Sequence, residues 1–578
     1  MKKIIISLCA LFSLLANNIL AQNLQIVSGK VDTARNSQHY FRGLTDADAK
    51  IFVAGKEFPV YWTGAFAAEV ELVEGDNTVE IIAQRGTEKT TETLKIFYRK
   101  RETASATEGF AIDKIEIFPS NNMMVTEGDA VRIRVKATPD CEVTWLNNVK
   151  LYELPDTETN GIAGIYQSTY IVKNGDKIFE KPLQVKLSNK KQTISKDVEA
   201  KISFFDKNTE PLMLRTKGEL PYLNYGLGAD RLGGSKIGHI VEGIVLQATG
   251  KVRDLYRVQL SKNYQAWIPE SCVEIINSGI FKPESLVSSW TASGNAEKKC
   301  DVLSVSLTSK LPFRTFHEIN PSRIVVDIFG AVANTAWITQ HPETLKAIKN
   351  LTYEQIEDDI FRIVIELAHN HWGHKIEYRG SNLVVTVKHQ PKLELNGLHV
   401  AIDAGHGGSS STGARGTTGC MEKDLNLKFV KMLQARLEAQ GAKVSLTRAE
   451  DIDVGMSERM LTLRQINPDL LISMHCNAGG SPFTGKGTST YYRHIGFRPL
   501  STAILSRLLE LDVNNFGNVG SFNFALSSPT EYPNVLVETV FLSSPEDEAK
   551  ILDEDFQNNM IDKIVLGLQD FLKEQKAE

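Results

Sequence analysis

The hydrophobic pattern of this 578-residue chain changes character at about residue 396, and that change restricts the fold more than any other feature. Before it, apolar and polar residues alternate with period two in short runs. A-K-I-F-V-A-G-K-E-F-P-V, A-F-A-A-E-V-E-L and N-T-V-E-I-I-A-Q are examples, with Gly55, Gly64 and Gly75-Asp76 between them. This spacing predicts antiparallel strands with one buried face. After residue 396, strands with near-continuous apolar runs alternate with helical patterns. V-A-I-D-A precedes a helix from Glu422 to Gln440 that carries Leu425, Leu427, Phe429, Val430, Leu433 and Leu437, and Gly441 ends it. Strand K-V-S-L-T, a helix near 456–466, strands D-L-L-I-S-M and S-T-Y-Y, a helix near 499–511, strand N-V-L-V-E-T-V and a helix around 554–573 follow. The alternation predicts a mostly parallel sheet covered on both faces, with ligands outside the carboxyl ends of its strands.

The length suggests roughly four domains at ~150 residues each. With 42% hydrophobic and 23% charged residues the chain reads as globular material. A formal net charge of -5 supplies no electrostatic case for nucleic acid as a partner. Lys2 and Lys3 precede an apolar stretch from Ile4 to Leu15, and Leu20-Ala21 stands before Gln22, so residues 1–21 read as a secretory signal peptide. No later apolar run is long enough to span a bilayer, so no transmembrane segment is expected after signal removal. With Cys9 inside that signal peptide, Cys141, Cys272, Cys300, Cys420 and Cys476 remain, scattered and odd in number, which indicates no disulfide framework.

The expected organisation is multidomain, with all-β modules in front and an α/β domain behind. Residues 22–101 resemble the immunoglobulin-like sandwiches of exported bacterial proteins. A linker rich in Thr, Ala, Ser and Glu (102–109) leads to a second sandwich at 110–205, with V-R-I-R-V-K-A, C-E-V-T-W and P-L-Q-V-K-L as strands. Residues 208–277, ending in strand V-Q-L, a polar turn and Ala266-Trp267-Ile268-Pro269, look like a bacterial Src-homology-3-like barrel. Trp267 serves equally as a core residue of a spacer or as part of a surface for peptide or wall polymer. Residues 283–390, with V-L-S-V-S-L and N-P-S-R-I-V-V-D-I-F-G-A, resemble the AMIN domain, a β module that places cell-wall amidases in the envelope. His369, His371 and His374 cluster there near Trp372, but no partner carboxylate spacing accompanies them. They read as polar loop and strand-face histidines.

The chemistry concentrates at four positions behind residue 396. His406 stands in the glycine-rich run I-D-A-G-H-G-G, Glu422 opens a helix, His475 closes L-L-I-S-M-H and Glu538 closes V-L-V-E. Each alone has a bland reading: a tight turn, a dipole-favoured first-turn acid, a satisfied core histidine. Together at the active edge of one sheet they supply the parts of a zinc hydrolase. Zn2+ favours imidazole and carboxylate donors and keeps an open position in catalytic sites, which makes His406, Glu422 and His475 a His2Glu ligand set. Glu538, not a ligand, is the candidate general base and acid. Gly405, Gly407 and Gly408 let the backbone turn beside His406. A rival set includes Cys420 or Cys476 as thiolate ligands, although neighbours of a strand-borne ligand point to the opposite face. Arg448 and Arg459 present planar donor forks that suit substrate carboxylates, but structural salt bridges are the commoner use of such residues and the one expected here.

I-D-A-G-H-G-G, E-K-D-L-N-L, L-T-R, S-M-H-C-N-A and V-L-V-E-T-V-F-L-S-S-P-E-D-E resemble the zinc-dependent N-acetylmuramoyl-L-alanine amidases of the amidase-3 family over 396–575. The resemblance implies zinc on His406, Glu422 and His475, catalysis by Glu538, and hydrolysis of the amide joining N-acetylmuramic acid to L-alanine in peptidoglycan. It further implies daughter-cell separation, an exported protein in the periplasm or cell envelope, and a protein activator from the division machinery as a partner. The first loop, S-S-S-T-G-A-R-G, departs from the aspartate and proline frequent in the family. Residues 476–537 already supply strands and a helix, so no large autoinhibitory insertion is expected. Two other readings stay open: a non-catalytic peptidoglycan-binding scaffold, and an amidase acting on soluble muropeptides.

Overall fold

Strands fill the described chain from Leu24 to Lys388, and a helix longer than one turn begins only at Glu422. The computed structural model describes residues 23–577 apart from 101–106, 147, 178, 180–181, 207–210, 229–234 and 277–279. The expected signal peptide and most of the expected linker lie outside the described residues.

Within residues 24–98, a three-stranded sheet (Leu24–Ser28, Gln38–Thr45, Ala65–Glu71) and a five-stranded sheet share one core. Phe41, Ile51, Phe66 and Ile81 are fully buried in it. A seven-stranded sheet follows, closed around Trp145, Val185 and Leu187. Its neighbour is a nine-stranded sheet that runs across the junction expected at 205–208. Strand Asn122–Val125 pairs in parallel with Lys201–Phe204 and antiparallel with Val245–Val252, placing Met123 opposite Val252. Trp267 stands at this junction: it packs against the core around Trp145, and the Arg257 guanidinium lies 5.9 Å from its ring. Arg257 is tied to Asp129 across the same seam at 2.7 Å.

Residues 285–388 form a five-stranded and a four-stranded sheet. Their interior residues Trp290, Phe361 and Ile365 join Leu246, Val258 and Ile268 in a single apolar cluster. The two stretches therefore meet through a continuous core.

The C-terminal part contains β1 (His399–Ala404), α1 (Glu422–Glu438), β2 (Lys443–Leu446), α2 (Met456–Ile466), β3 (Leu470–Asn477) and β4 (Thr488–Tyr491). It continues with α3 (Arg498–Leu508), β5 (Asn515–Val519), β6 (Asn534–Phe541), α4 (Pro545–Leu552) and α5 (Glu554–Ala577). The sheet order is β2-β1-β3-β6-β4-β5. The first four run parallel, whereas β4 pairs antiparallel with β6 and parallel with β5. The mostly parallel α/β sheet read from the sequence is present, with a reversed pair at one edge.

Alternation along the strands divides the faces unequally. Val400, Ile402, Ile472, Met474, Val535 and Val537 bury against α1, α3 and α5. Ala401 and Leu471 face Met460 and Leu463 of α2, with Leu526 and Tyr532 beside them. This second cover is thin, and the candidate residues lie on that face beyond its end. α1 is anchored by Leu425, Phe429, Val430, Leu433 and Leu437, all buried, a spacing that follows the helical repeat. Glu422 and Asp424 occupy its first turn, where the helix dipole favours carboxylates. Phe429→Ala, at a fully buried position, should cost about 3–5 kcal/mol, seen as a lower midpoint of the C-terminal α/β transition in thermal or urea unfolding.

Candidate metal centre

Three carboxyl ends and one helix start converge on the thinly covered face. β1 delivers the chain to Gly405 and His406, β3 presents His475, β6 presents Glu538, and Glu422 is the first residue of α1. In the parallel register His475 stands directly opposite Glu538, so both side chains leave the sheet on the same face.

The turn after β1 is a strained one. His406 has φ of 61°, a left-handed conformation uncommon outside glycine. Two guanidiniums hold it there. Arg459 donates to the carbonyls of Ala404 (2.7 Å) and His406 (2.5 Å), and Arg448 donates to those of Ala404 (3.0 Å) and Gly405 (3.1 Å). Arg459 also pairs with buried Asp403 at 2.5 Å, and Asp403 accepts from Thr447 and Ser473 at 2.7 Å each. Burial opposes ionisation of Asp403, but Arg459 and these donors hold its carboxyl below the usual range. Arg459 thus makes the expected salt bridge. Arg448 spends its donors on carbonyls, including that of Lys423 at 2.7 Å.

His406, Glu422 and His475 each place a donor atom within 4.8 Å of the others. Glu422 Oε1 lies 2.9 Å from His475 Nδ1 and 3.2 Å from His406 Nε2. The Cys476 amide donates to the same oxygen at 3.1 Å, and the Ala414 amide donates to Oε2 at 2.7 Å. Two glycines are required by this crowding. A Cβ at Gly405 would stand 2.3 Å from the His475 ring, and one at Gly413 would stand 2.4 Å from Glu422 Oε2.

Burial opposes charge on both central partners, yet their mutual attraction prevails. Glu422 is held well below the usual carboxylate range by His406 and His475. His475 is raised to about 9, with Glu422 outweighing desolvation and Glu538 and Asp403 adding to the effect. Two imidazoles therefore face an ionised carboxylate, a donor set suited to a borderline divalent cation.

The thiols stand apart from this group. Cys476 Sγ lies on the other face of β3, 3.3 Å from Thr539 Oγ1, and Cys420 Sγ lies 3.4 Å from Glu548. Burial raises both thiols, Cys420 to about 11.

A cavity of about 570 Å³ opens over the group, lined by His406, Glu422, His475, Glu538 and an aromatic wall that includes Tyr491 and Phe522. Tyr491 packs edge-on to Phe522 at 5.0 Å and to Phe524 at 5.2 Å. His406, Glu422, His475 and Glu538 are the positions expected from the sequence, whereas this wall and Asp403 as the partner of Arg459 are not. Asp403 carried a usable signal: a charged residue inside an apolar buried strand needs a partner.

The family model described as N-acetylmuramoyl-L-alanine amidase matches residues 400–570, and that of the AMIN domain matches 287–387. An uncharacterized protein of Bacillus subtilis, YqiI, is 32% identical over 181 residues, which is 31% of this chain and 86% of YqiI. The chain belongs to the N-acetylmuramoyl-L-alanine amidase family. LytH of Staphylococcus aureus, a probable cell wall amidase, is 30% identical over 187 residues, 32% of this chain. The chain spans 62% of the length of LytH. Among solved structures, the amidase from Clostridium difficile 630 is 31% identical, covering 31% of this chain and 98% of that one, with a TM-score of 0.29.

In this amidase domain, Gly405→Ala should drive the His475 ring off Glu422 and lower metal content and turnover at least tenfold. Circular dichroism should stay near wild type. The raised His475 pKa also has a stability consequence. It lies above the unfolded value of about 6.5, so the stabilisation is complete below that pH and is lost as pH rises through about 9. Chelator-treated protein should show a falling thermal midpoint from pH 6.5 to 9, and His475→Gln should flatten that fall.

Proposed function

We propose that the chain is an exported zinc-dependent amidase that cleaves the bond between N-acetylmuramic acid and L-alanine in peptidoglycan. The observation that carries this reading is the group of His406, Glu422 and His475 beside Glu538 in one cavity. His406, Glu422 and His475 would hold the metal. Zinc bound there would supply Lewis acidity, lowering the pKa of a water and polarising a carbonyl.

The remaining work falls to the chain's own residues. Glu538 accepts the proton of the attacking water and returns it to the departing amide nitrogen, so one carboxylate serves both halves of the reaction. Its place opposite His475 in the register aims it at the same space as the ligands. Glu422 keeps both imidazoles oriented, and its ionised state supports a cation next to them. The aromatic wall of Tyr491 and Phe522 suits the apolar faces of a sugar and an alanine methyl.

The same proposal places the protein in the periplasm or cell envelope, with peptidoglycan as its substrate, a role in daughter-cell separation and a division-machinery activator as a partner. The front modules are read as two immunoglobulin-like sandwiches (22–101 and 110–205), a Src-homology-3-like barrel (208–277) and an AMIN-like domain (283–390). Among the described residues no helix is long and apolar enough to cross a membrane.

Glu538→Gln should retain zinc by elemental analysis and lose about 10²–10⁴-fold in release of stem peptides from purified sacculi. Near-normal turnover in that variant would refute the assigned role. Full wild-type activity after exhaustive chelation would sink the zinc reading, and binding without any product would favour a scaffold.

A further inference from the structure

The three histidines read as polar loop and strand-face residues do not share one environment. His369 is partly buried and uses its ring nitrogens on the Asn370 carbonyl and the Gln390 amide. His371 and His374 are buried at 5% and 1% exposure and meet a third histidine, His317, from strand Phe313–Ile319. One ring nitrogen of each lies within 4.8 Å of the others.

We propose that His317, His371 and His374 form a second metal site, structural in role, that takes a transition-metal cation of the Zn2+ class where the AMIN domain meets the amidase domain. Three independent features support it. The first is unspent coordinating capacity. Neither nitrogen of His317 has a hydrogen-bond partner among the described residues, nor does His371 Nδ1. Buried polar atoms are normally satisfied, and a fully buried imidazole with both nitrogens unpartnered beside two other histidines calls for a ligand.

The second is orientation. His374 Nδ1 points at His371 Nε2 across 3.0 Å, while its Nε2 is held by Thr315 Oγ1 at 2.9 Å. That outer contact is the arrangement that fixes the ring of a metal-binding histidine. In the metal-free state the two facing nitrogens share one hydrogen, and a cation bound at both would move it to the other nitrogen of its ring, a tautomer change that releases no proton. Bonds of about 2.0–2.1 Å at tetrahedral angles put donors about 3.4 Å apart, so a modest contraction of the group suffices.

The third is location. His494, from the amidase domain, stacks on His317 with ring centroids 4.9 Å apart and gives its Nε2 to the Ser528 carbonyl at 2.9 Å. A Cβ at Gly496 would come within 2.9 Å of His317 Nδ1, so the amidase domain leaves room for that ring. The backbones are joined beside the cluster, His374 N donating to Thr530 O at 2.7 Å and Thr530 Oγ1 donating to His374 O at 2.9 Å. A cavity of about 840 Å³, lined by His371, Gly496 and Glu574, borders the cluster at His371.

The test counts metal in the full chain after loading with Zn2+ and desalting. Wild type should hold two equivalents, His406→Ala one, His371→Phe one, and the double variant none. Phe is chosen because His371 already stacks on Phe497 at 5.2 Å and 2°. His374→Gln, which can keep the Thr315 contact, is the second variant should the first fail to fold. With Co2+ in the His406→Ala protein, a tetrahedral d–d absorption should appear and vanish when His371→Phe is added. An His406→Ala protein that retains no metal, or His371→Phe and His374→Gln proteins that retain two equivalents, would overturn the proposal. Two equivalents in His406→Ala would instead count against the catalytic ligand set, leaving the two readings separable.

Discussion

Glu422 Oε1 is the point on which the rest of the site depends. A carboxylate this buried is tolerable only when its charge is answered on every side, and here two imidazoles and two backbone amides answer it. His406 and Ala414 come from the segment between β1 and α1, and His475 and Cys476 from β3, so the carboxylate ties that segment to the end of β3. Its position at the first residue of α1 adds the helix dipole to the same balance. The convergence of strand ends places the donors, and this one oxygen keeps them from dispersing.

The turn that brings His406 to Glu422 has a cost of its own. A left-handed non-glycine residue carries roughly 1–3 kcal/mol of strain and persists only where its surroundings over-determine it. Arg459 and Arg448 supply that determination through the carbonyls of residues 404–406. Asp403 in turn fixes Arg459, and both are almost wholly buried. Removing either partner would leave an uncompensated charge in the interior, a loss of about 3–5 kcal/mol. The brace is thus part of what holds His406 beside Glu422, although it touches neither the His406 ring nor the Glu422 carboxylate.

What could be read from the sequence follows the range of the interactions involved. His406, His475 and Glu538 were legible because each ends an apolar strand, and parallel sheets collect such ends on one edge. Glu422 was legible because it opens a strongly periodic helix. The helix bounds near 456–466 and 554–573 agree closely with Met456–Ile466 and Glu554–Ala577, since both are set by local pattern. The pairing of Asn122–Val125 with Val245–Val252 was not legible, because period two says which face is buried but not which distant strand lies alongside. The same holds for His317. Nothing in its own segment distinguishes it, and only long-range packing brings it to His371 and His374.

That long-range packing changes how the front of the chain should be understood. Modules on flexible tethers act by raising local concentration, and their orientation is immaterial. Here the contacts are of another kind. Trp372, from the AMIN-like stretch, is 1% exposed and sits in the amidase core, 5.6 Å from the Phe571 ring. A Cβ at Gly373 would stand 2.1 Å from the Glu531 carbonyl, so the two backbones touch with no side chain between them. At the other end of the chain, Trp62 donates to the Ala549 carbonyl at 3.0 Å, and Phe483 packs with Tyr40 and Phe58. Phe483 belongs to the loop that follows β3, the strand bearing His475. The first module therefore supports the segment that leaves the site, and the AMIN-like stretch supports the sheet beneath it. An interface with a buried tryptophan and direct backbone contact resists reorientation, which makes the front of this chain a set of walls for the amidase domain.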